Sequence, residues 1–186
     1  VSSAEDDPQI GTDQVMRSTD GGVSWDRIEE PVANQWGDVA YGNGLWVAVA
    51  QTGTGDRVMT SPDGITWTTR ASKADIEWKS VAYGNGLWVA VANTGDAGLG
   101  TLKRVMTSTN GEDWTLRTGA ADNLWQSVAY GNGVWIAVGI LGPGNRVMTS
   151  PDGFTWTSVD PSTSSSIDAT ANWSSVAYGN GVWVAV

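Results

Sequence analysis

The sequence predicts an all-β fold made of four copies of one four-stranded unit. Three observations carry that prediction. The segment Trp78-Lys79-Ser80-Val81-Ala82-Tyr83-Gly84-Asn85-Gly86-Leu87-Trp88-Val89-Ala90-Val91 returns almost unchanged from Trp36, Trp125 and Trp173. A second segment, Arg57-Val58-Met59-Thr60-Ser61-Pro62-Asp63-Gly64-Ile65-Thr66-Trp67, lies between copies of the first and returns from Arg104, from Arg146 and, altered, from Gln14. Glycine supplies 24 of 186 residues, and the 12 tryptophans divide three to a repeat. That composition describes many tight turns packed on one large aromatic type.

Taken in order, residues 1–13 are polar and acidic and read as a loop. Gln14–Arg17 and the run from Ser18 to Trp25 read as two strands around an Asp-Gly turn. The segment from Trp36 reads as two strands around a Gly-Asn turn, and the next hairpin follows from Arg57. Pro62 and Pro151 preset the backbone for the turns they enter. In the second repeat the four strands fall at 78–83, 87–92, 104–108 and 114–117. The tryptophans that open the repeats stand 42, 47 and 48 residues apart. A period of 40–50 residues with four strands each belongs to ring-shaped β architectures of radial blades, the β-propellers.

The repeats run 36–77, 78–124 and 125–172, and the fourth combines 173–186 with 1–35. Residues 173–186 hold only a first and second strand; residues 1–35 hold only a third and fourth. An unpaired strand edge invites pairing. The expected architecture is therefore one domain, 1–186, a propeller of four four-stranded blades closed by N-terminal strands pairing with C-terminal ones. The alternative is two chains closing an eight-bladed ring. An open solenoid would need atypical end repeats as caps.

Composition excludes several function classes. With no cysteine and no histidine, the chain has no disulfide or thiolate chemistry, no imidazole base for a Ser/His/Asp triad and no histidine to bind zinc. A net charge of -10 argues against a nucleic-acid partner, which calls for a basic face. No apolar run approaches the ~18 residues of a membrane helix, so no membrane insertion is expected. Acidity fits a soluble, secreted surface or a cation-binding one. Each tryptophan, at ~150–250 Å² and ~25 cal/mol per Å², offers roughly 4–6 kcal/mol of gross burial, which assigns them to packing.

Ser18-x-Asp20-x-Gly22-x-Ser24-Trp25 resembles the Asp-box, or bacterial neuraminidase repeat. Ser61-Pro62-Asp63-Gly64-x-Thr66-Trp67 and Ser150-Pro151-Asp152-Gly153-x-Thr155-Trp156 are similar with one residue fewer, and Ser108-Thr109-Asn110-Gly111-Glu112-Asp113-Trp114 has Asn for the acid. The resemblance touches every repeat. It implies a propeller and an extracellular or cell-surface setting, shared with sialidases, other glycosidases and many proteins without known activity. In that family the Asp-box is a structural hairpin far from the catalytic centre.

Candidate ligand-binding residues are Arg57, Arg104, Arg146 and Asp38. The arginines hold equivalent positions and are the groups to grip carboxylates; the competing reading is a strand-start arginine paired with a loop acid or an aromatic ring. Asp38 is the one acid where the other repeats carry Ser80, Ser127 and Ser175, which makes it the residue to inspect for a glycosidase carboxylate pair. Four identical tyrosines, Tyr41, Tyr83, Tyr130 and Tyr178, point to packing rather than to a special nucleophile. Asp20, Asp63 and Asp152 read as turn residues bonding their own backbone. Asp6, Asp7, Asp13 and Asp96 are the acids available for calcium, though their spacing matches no calcium loop; no other cofactor is expected. The loops that differ between repeats join second to third and fourth to first strands and emerge on one edge, where binding to a glycan or protein surface would sit. The leading expectation is thus an extracellular non-catalytic binding module. A structural, self-associating protein and a sialidase-like glycoside hydrolase are the alternatives.

Overall fold

A computed structural model describes residues 15–95, 102–142, 145–160 and 171–186. The described residues form sixteen strands and no helix. Three sheets have four antiparallel strands in sequence order. The first is β3 (Trp36–Gly42), β4 (Leu45–Ala50), β5 (Val58–Ser61) and β6 (Thr68–Arg70). The second is β7 (Trp78–Gly84), β8 (Leu87–Ala92), β9 (Val105–Ser108) and β10 (Thr115–Arg117). The third is β11 (Leu124–Gly131), β12 (Val134–Ile140), β13 (Val147–Ser150) and β14 (Thr157–Val159). Two two-stranded sheets flank them: β1 (Val15–Arg17) with β2 (Asp26–Ile28), and β15 (Val176–Gly179) with β16 (Val182–Ala185).

Local chemistry explains these hairpins. The turn between the first two strands of a unit places Asn43 at φ 50° and Gly44 at φ 77°, and the pattern repeats at Asn85, Asn132 and Asn180. Positive φ at both central residues is the two-residue turn whose twist matches paired strands, and Asn-Gly is the pair that tolerates it. One residue after the opening tryptophan the register slips, between Trp36 and Asp38, Trp78 and Ser80, and Trp125 and Ser127. This bulge turns the next side chain toward the neighbouring sheet.

The sheets stand side by side with their first strands together: β3 flanks β7, β7 flanks β11 and β11 flanks β15. One core, with Val47, Val58, Trp78, Trp88, Met106 and Trp114, fills the space between the first and second sheets. Val89, Val105, Trp125, Trp135, Met148 and Trp156 form the next. A clasp repeats at each junction. Tyr83 lies on Gly42, Tyr130 on Gly84 and Tyr178 on Gly131, so closely that a Cβ on any of these glycines would stand 2.2 Å from the ring. The bulged side chains form a second clasp: Val81 N–H donates to Asp38 Oδ2 (3.0 Å), Val128 N–H to Ser80 Oγ (3.2 Å) and Val176 N–H to Ser127 Oγ (3.2 Å).

Closure within one chain, as expected from the split repeat, is not formed among the described residues. β1 and β2 pair only with each other, as do β15 and β16. Tyr41, which closure would lay on Gly179, is 56% exposed, and nothing lies within 4 Å of a Cβ built on Gly179. The contacts that join neighbouring sheets, a tyrosine laid on a glycine and a bulged side chain bonded to the next sheet, are made from β3 to β15 and are not made between β15 and β3 among the described residues.

Candidate functional site

Two regions hold the residues that sequence analysis singled out: the loop edge and the open face of the first sheet. On the loop edge, the loops between second and third strands are bonded to those between fourth and first strands. Ser72 N–H donates to Gly55 O, and Gly55 N–H to Asp75 Oδ1 at 2.7 Å. Asn34 Nδ2 donates to Asp56 O (3.0 Å), and Asn123 Nδ2 to Asn145 O (2.6 Å). These asparagines were not singled out from the sequence. Their signal is a shared separation of 22 residues from the loop they hold.

The three arginines are part of this network. Arg57 donates from Nε to Gly53 O (2.8 Å) and from Nη1 to Gln51 O (2.6 Å). Arg104 Nη1 donates to Asn123 O (2.8 Å) and lies 2.6 Å from Asp122 Oδ1. Arg146 Nη1 donates to Asn172 Oδ1 (2.7 Å). A planar fork of donors suits this work, because one guanidinium can close a loop on two carbonyls. The guanidiniums are thus spent on loop backbone, on loop asparagines and on the loop acids Asp75 and Asp122, and the side chains of Arg57 and Arg104 are largely buried.

The open face lies across a cleft of about 900 Å³ between the β1–β2 hairpin and the first sheet. Met16, Trp25, Asp38, Tyr41, Trp46 and Trp67 are among its lining residues. Tyr41 and Trp46 stack with centroids 4.8 Å apart. The cleft holds two carboxylates, and both are committed to main chain. Asp38 bridges its own Val39 N–H (Oδ1, 2.8 Å) and Val81 N–H of the next sheet, so this acid does what serine does elsewhere. Asp63 Oδ1 accepts from Ile65 N–H, Thr66 N–H and Ser61 Oγ. Those bonds hold its carboxyl below the ordinary carboxylate range. Asp152 is lowered in the same way, as is Asp20, chiefly by the Ser24 hydroxyl and N–H. Asn110 takes the same acceptor place at the second-sheet turn. An acid so depressed is ionised at neutral pH and has no proton to give a leaving group.

Among the described residues no group of three or more carboxylates could hold a metal ion. The calcium candidates Asp6, Asp7, Asp13 and Asp96 lie outside the described residues. No described helix is long and apolar enough to cross a membrane.

No protein-family model and no curated protein sequence matches the chain. Solved structures do. YCF48 bound to D1 peptide matches with a TM-score of 0.59 at 16% identity, over 89% of this chain and 50% of that one. The computationally designed Ika4 protein matches at 0.55 and 11% identity, over 84% of this chain and 87% of that one. The designed Ika8 protein matches at 0.55 and 8% identity, over 86% of this chain and 44% of that one. The chain thus spans about half the length of YCF48 and rather less of Ika8. Together with the radial four-stranded sheets, these likenesses identify a β-propeller fold.

Proposed function

We propose that this chain is a non-catalytic binding module of an extracellular propeller protein and that it holds a protein or peptide on its loop edge. The observation that supports this most is the knitting of the variable loops to one another. Loops fixed in advance by Asn34, Arg57, Arg104 and Asn123 lose little conformational freedom when a ligand arrives, so contact energy is not spent on ordering them. Their sequences differ between repeats, whereas the turns on the opposite edge are nearly uniform. Hydrolysis is disfavoured because both carboxylates in the aromatic cleft serve as backbone acceptors. The similar structure of YCF48 was solved bound to D1 peptide, which supports a ligand of this class. The serine–aspartate turns, with their shared hydrogen bonds, support reading the chain as an Asp-box protein.

The test pairs an activity screen with a binding screen. Fluorogenic sialosides and aryl glycosides should show no turnover. Displayed peptide libraries should yield binders that are lost on Thr54→Arg or Lys73→Glu, exposed tips of the loop edge, and kept on Thr109→Arg at the turn edge. Measurable glycoside turnover, binders confined to a glycan array, or peptides indifferent to the loop substitutions would overturn the proposal.

A further inference from the structure

We infer that Leu141 is the apolar contact through which the loop edge takes its peptide, and that the peptide answers it with a large apolar side chain. This rests on the reading of the loop edge as a peptide site and names the chemistry of the ligand. Behind it stands a leucine held in a backbone conformation that leucine disfavours, with its side chain largely in solvent.

Leu141 has φ 43°. In that left-handed region the Cβ of an L-residue crowds the following carbonyl oxygen, and a bulky side chain is seldom found there. Among the described residues the other non-glycine positions of positive φ are the hairpin asparagines Asn43, Asn85, Asn132 and Asn180, at 49–50°. Asparagine tolerates the region because its short polar side chain bonds locally. For leucine the crowding lowers the folding equilibrium constant roughly 5–30-fold. A backbone cost of this kind persists only where the surroundings impose it, and such positions gather at sites that bind or act.

The neighbouring loops do impose it. Thr52 and Thr94 are the equivalent residues of the first and second sheets, and their hydroxyls accept the N–H of Gln35 and of Glu77, each at 2.8 Å. Leu141 has no hydroxyl, and its carbonyl takes over the task, accepting from Leu124 N–H at 3.1 Å. Its own N–H donates to Asn172 Oδ1 at 3.3 Å, the oxygen that also accepts from Arg146. Gly142 sits so close to the next loop that a Cβ there would stand 2.4 Å from Asn123 Oδ1. Both backbone groups of Leu141 are therefore fixed, and the residue after it has no room to shift. The side chain gives the fold little in return, since it is 55% exposed. Threonine closes the same loop in two other repeats without a positive φ. What leucine adds is an apolar group on a rigid support, which contributes contact area with little ordering cost when a ligand arrives.

Leu102 extends this surface. It is 37% exposed, and its carbonyl accepts from Gly119 N–H at 2.9 Å. The loop 118–123 is thus tied to Leu102 near its start and, through Leu124, to Leu141 at its end. Among the described residues these leucines are the two large apolar side chains exposed on the loop edge, whereas the tips at Thr54 and Lys73 are polar or charged. A leucine on either side of one fixed loop suits a peptide that carries apolar side chains and offers little to a wholly polar one.

Two displayed peptide libraries test this, one containing leucine, isoleucine, valine and phenylalanine and one restricted to polar and charged residues. Binders should come from the first. Leu141→Asn should weaken them roughly 10–100-fold, the value of covering one leucine side chain, and Leu141→Met should keep most of the affinity. Replacing the peptide's apolar residue by alanine should weaken binding to the unsubstituted chain and change little on the Leu141→Asn background, where the pair is already lost. Leu141→Asn should leave the urea midpoint unchanged or raised, because asparagine adopts φ 43° at lower cost. A lowered midpoint would show that the leucine serves the fold. Binders from the polar library that are lost on Lys73→Glu yet indifferent to Leu141→Asn would leave a loop-edge site of other chemistry. Either result overturns the inference, and the second leaves the loop-edge reading standing. Failure of both libraries to yield a binder would overturn that reading and this inference together.

Discussion

Trp114 and Trp25 each end a serine–aspartate turn with the same indole hydrogen bond and differ in how much protein surrounds them. Trp114 is 1% exposed and Trp25 is 54% exposed. Their indole N–H groups make the same bond, to Gly111 O at 3.0 Å and to Gly22 O at 3.1 Å. Truncation to alanine therefore isolates burial from the hydrogen bond. A tryptophan side chain buries about 200 Å², and at ~25 cal/mol per Å² full burial is worth about 5 kcal/mol gross. Trp114→Ala should cost about 3–5 kcal/mol, because it also leaves a cavity among Val47, Trp88 and Met106 that packed neighbours fill only in part. Trp25→Ala removes roughly half the burial and opens no enclosed cavity, so about 1–2 kcal/mol is expected. Urea denaturation followed by far-ultraviolet circular dichroism gives both numbers directly. For a chain of this size the corresponding falls in Tm are roughly 6–20 °C and 2–8 °C. Equal costs at the two positions would show that the turn's own bonds, and not packing between sheets, give these tryptophans their role.

Other expectations follow from the same contacts. Ser80→Ala should cost about 1–3 kcal/mol in urea, since it leaves the buried Val128 N–H without an acceptor, whereas Asp38→Ser should be nearly neutral because serine already fills that place in two other sheets. Arg104→Lys should cost about 1.5–3 kcal/mol, since an ammonium cannot serve Asn123 O and Asp122 with the same fork, and loss of amide-exchange protection in residues 119–123 would report it. The carboxylates of Asp20, Asp63 and Asp152 are lowered by their turns. Their stabilisation is therefore fully present above the ordinary carboxylate value of about 4 and is lost only as pH falls below it toward the depressed folded values. Acid titration of the fold should show its loss starting below that point, and Asp63→Asn should fold normally, as Asn110 does, with a weaker dependence on acid.

The turns and strands were legible because their causes are local. Asn43-Gly44 and its copies set their own backbone angles, and the alternation of apolar and small residues in 78–91 needs no distant partner to read as two strands. The serine–aspartate turns were equally visible, since Ser61 and Asp63 bond groups within a few residues of themselves. The arginines were visible as positions and ambiguous as roles. Whether Arg57 grips a ligand or its own loop depends on where Gln51 O and Gly53 O point, and no spacing encodes that. Asp38 was the acid to inspect for a catalytic pair because it broke a serine pattern. Its use as a bridge to Val81 became readable only once two sheets stood together.

The sequence by itself determined the repeating unit, its strands and its turns, because each rests on backbone preference and on side chains that satisfy nearby groups. Tertiary structure alone decided how one unit sits on the next. That placement depends on the thickness of a layer of indole rings, on tyrosines meeting glycines more than 40 residues away, and on a bulge that redirects one side chain per sheet. Curvature adds up over such contacts, so whether the arc meets itself is a property of no single residue.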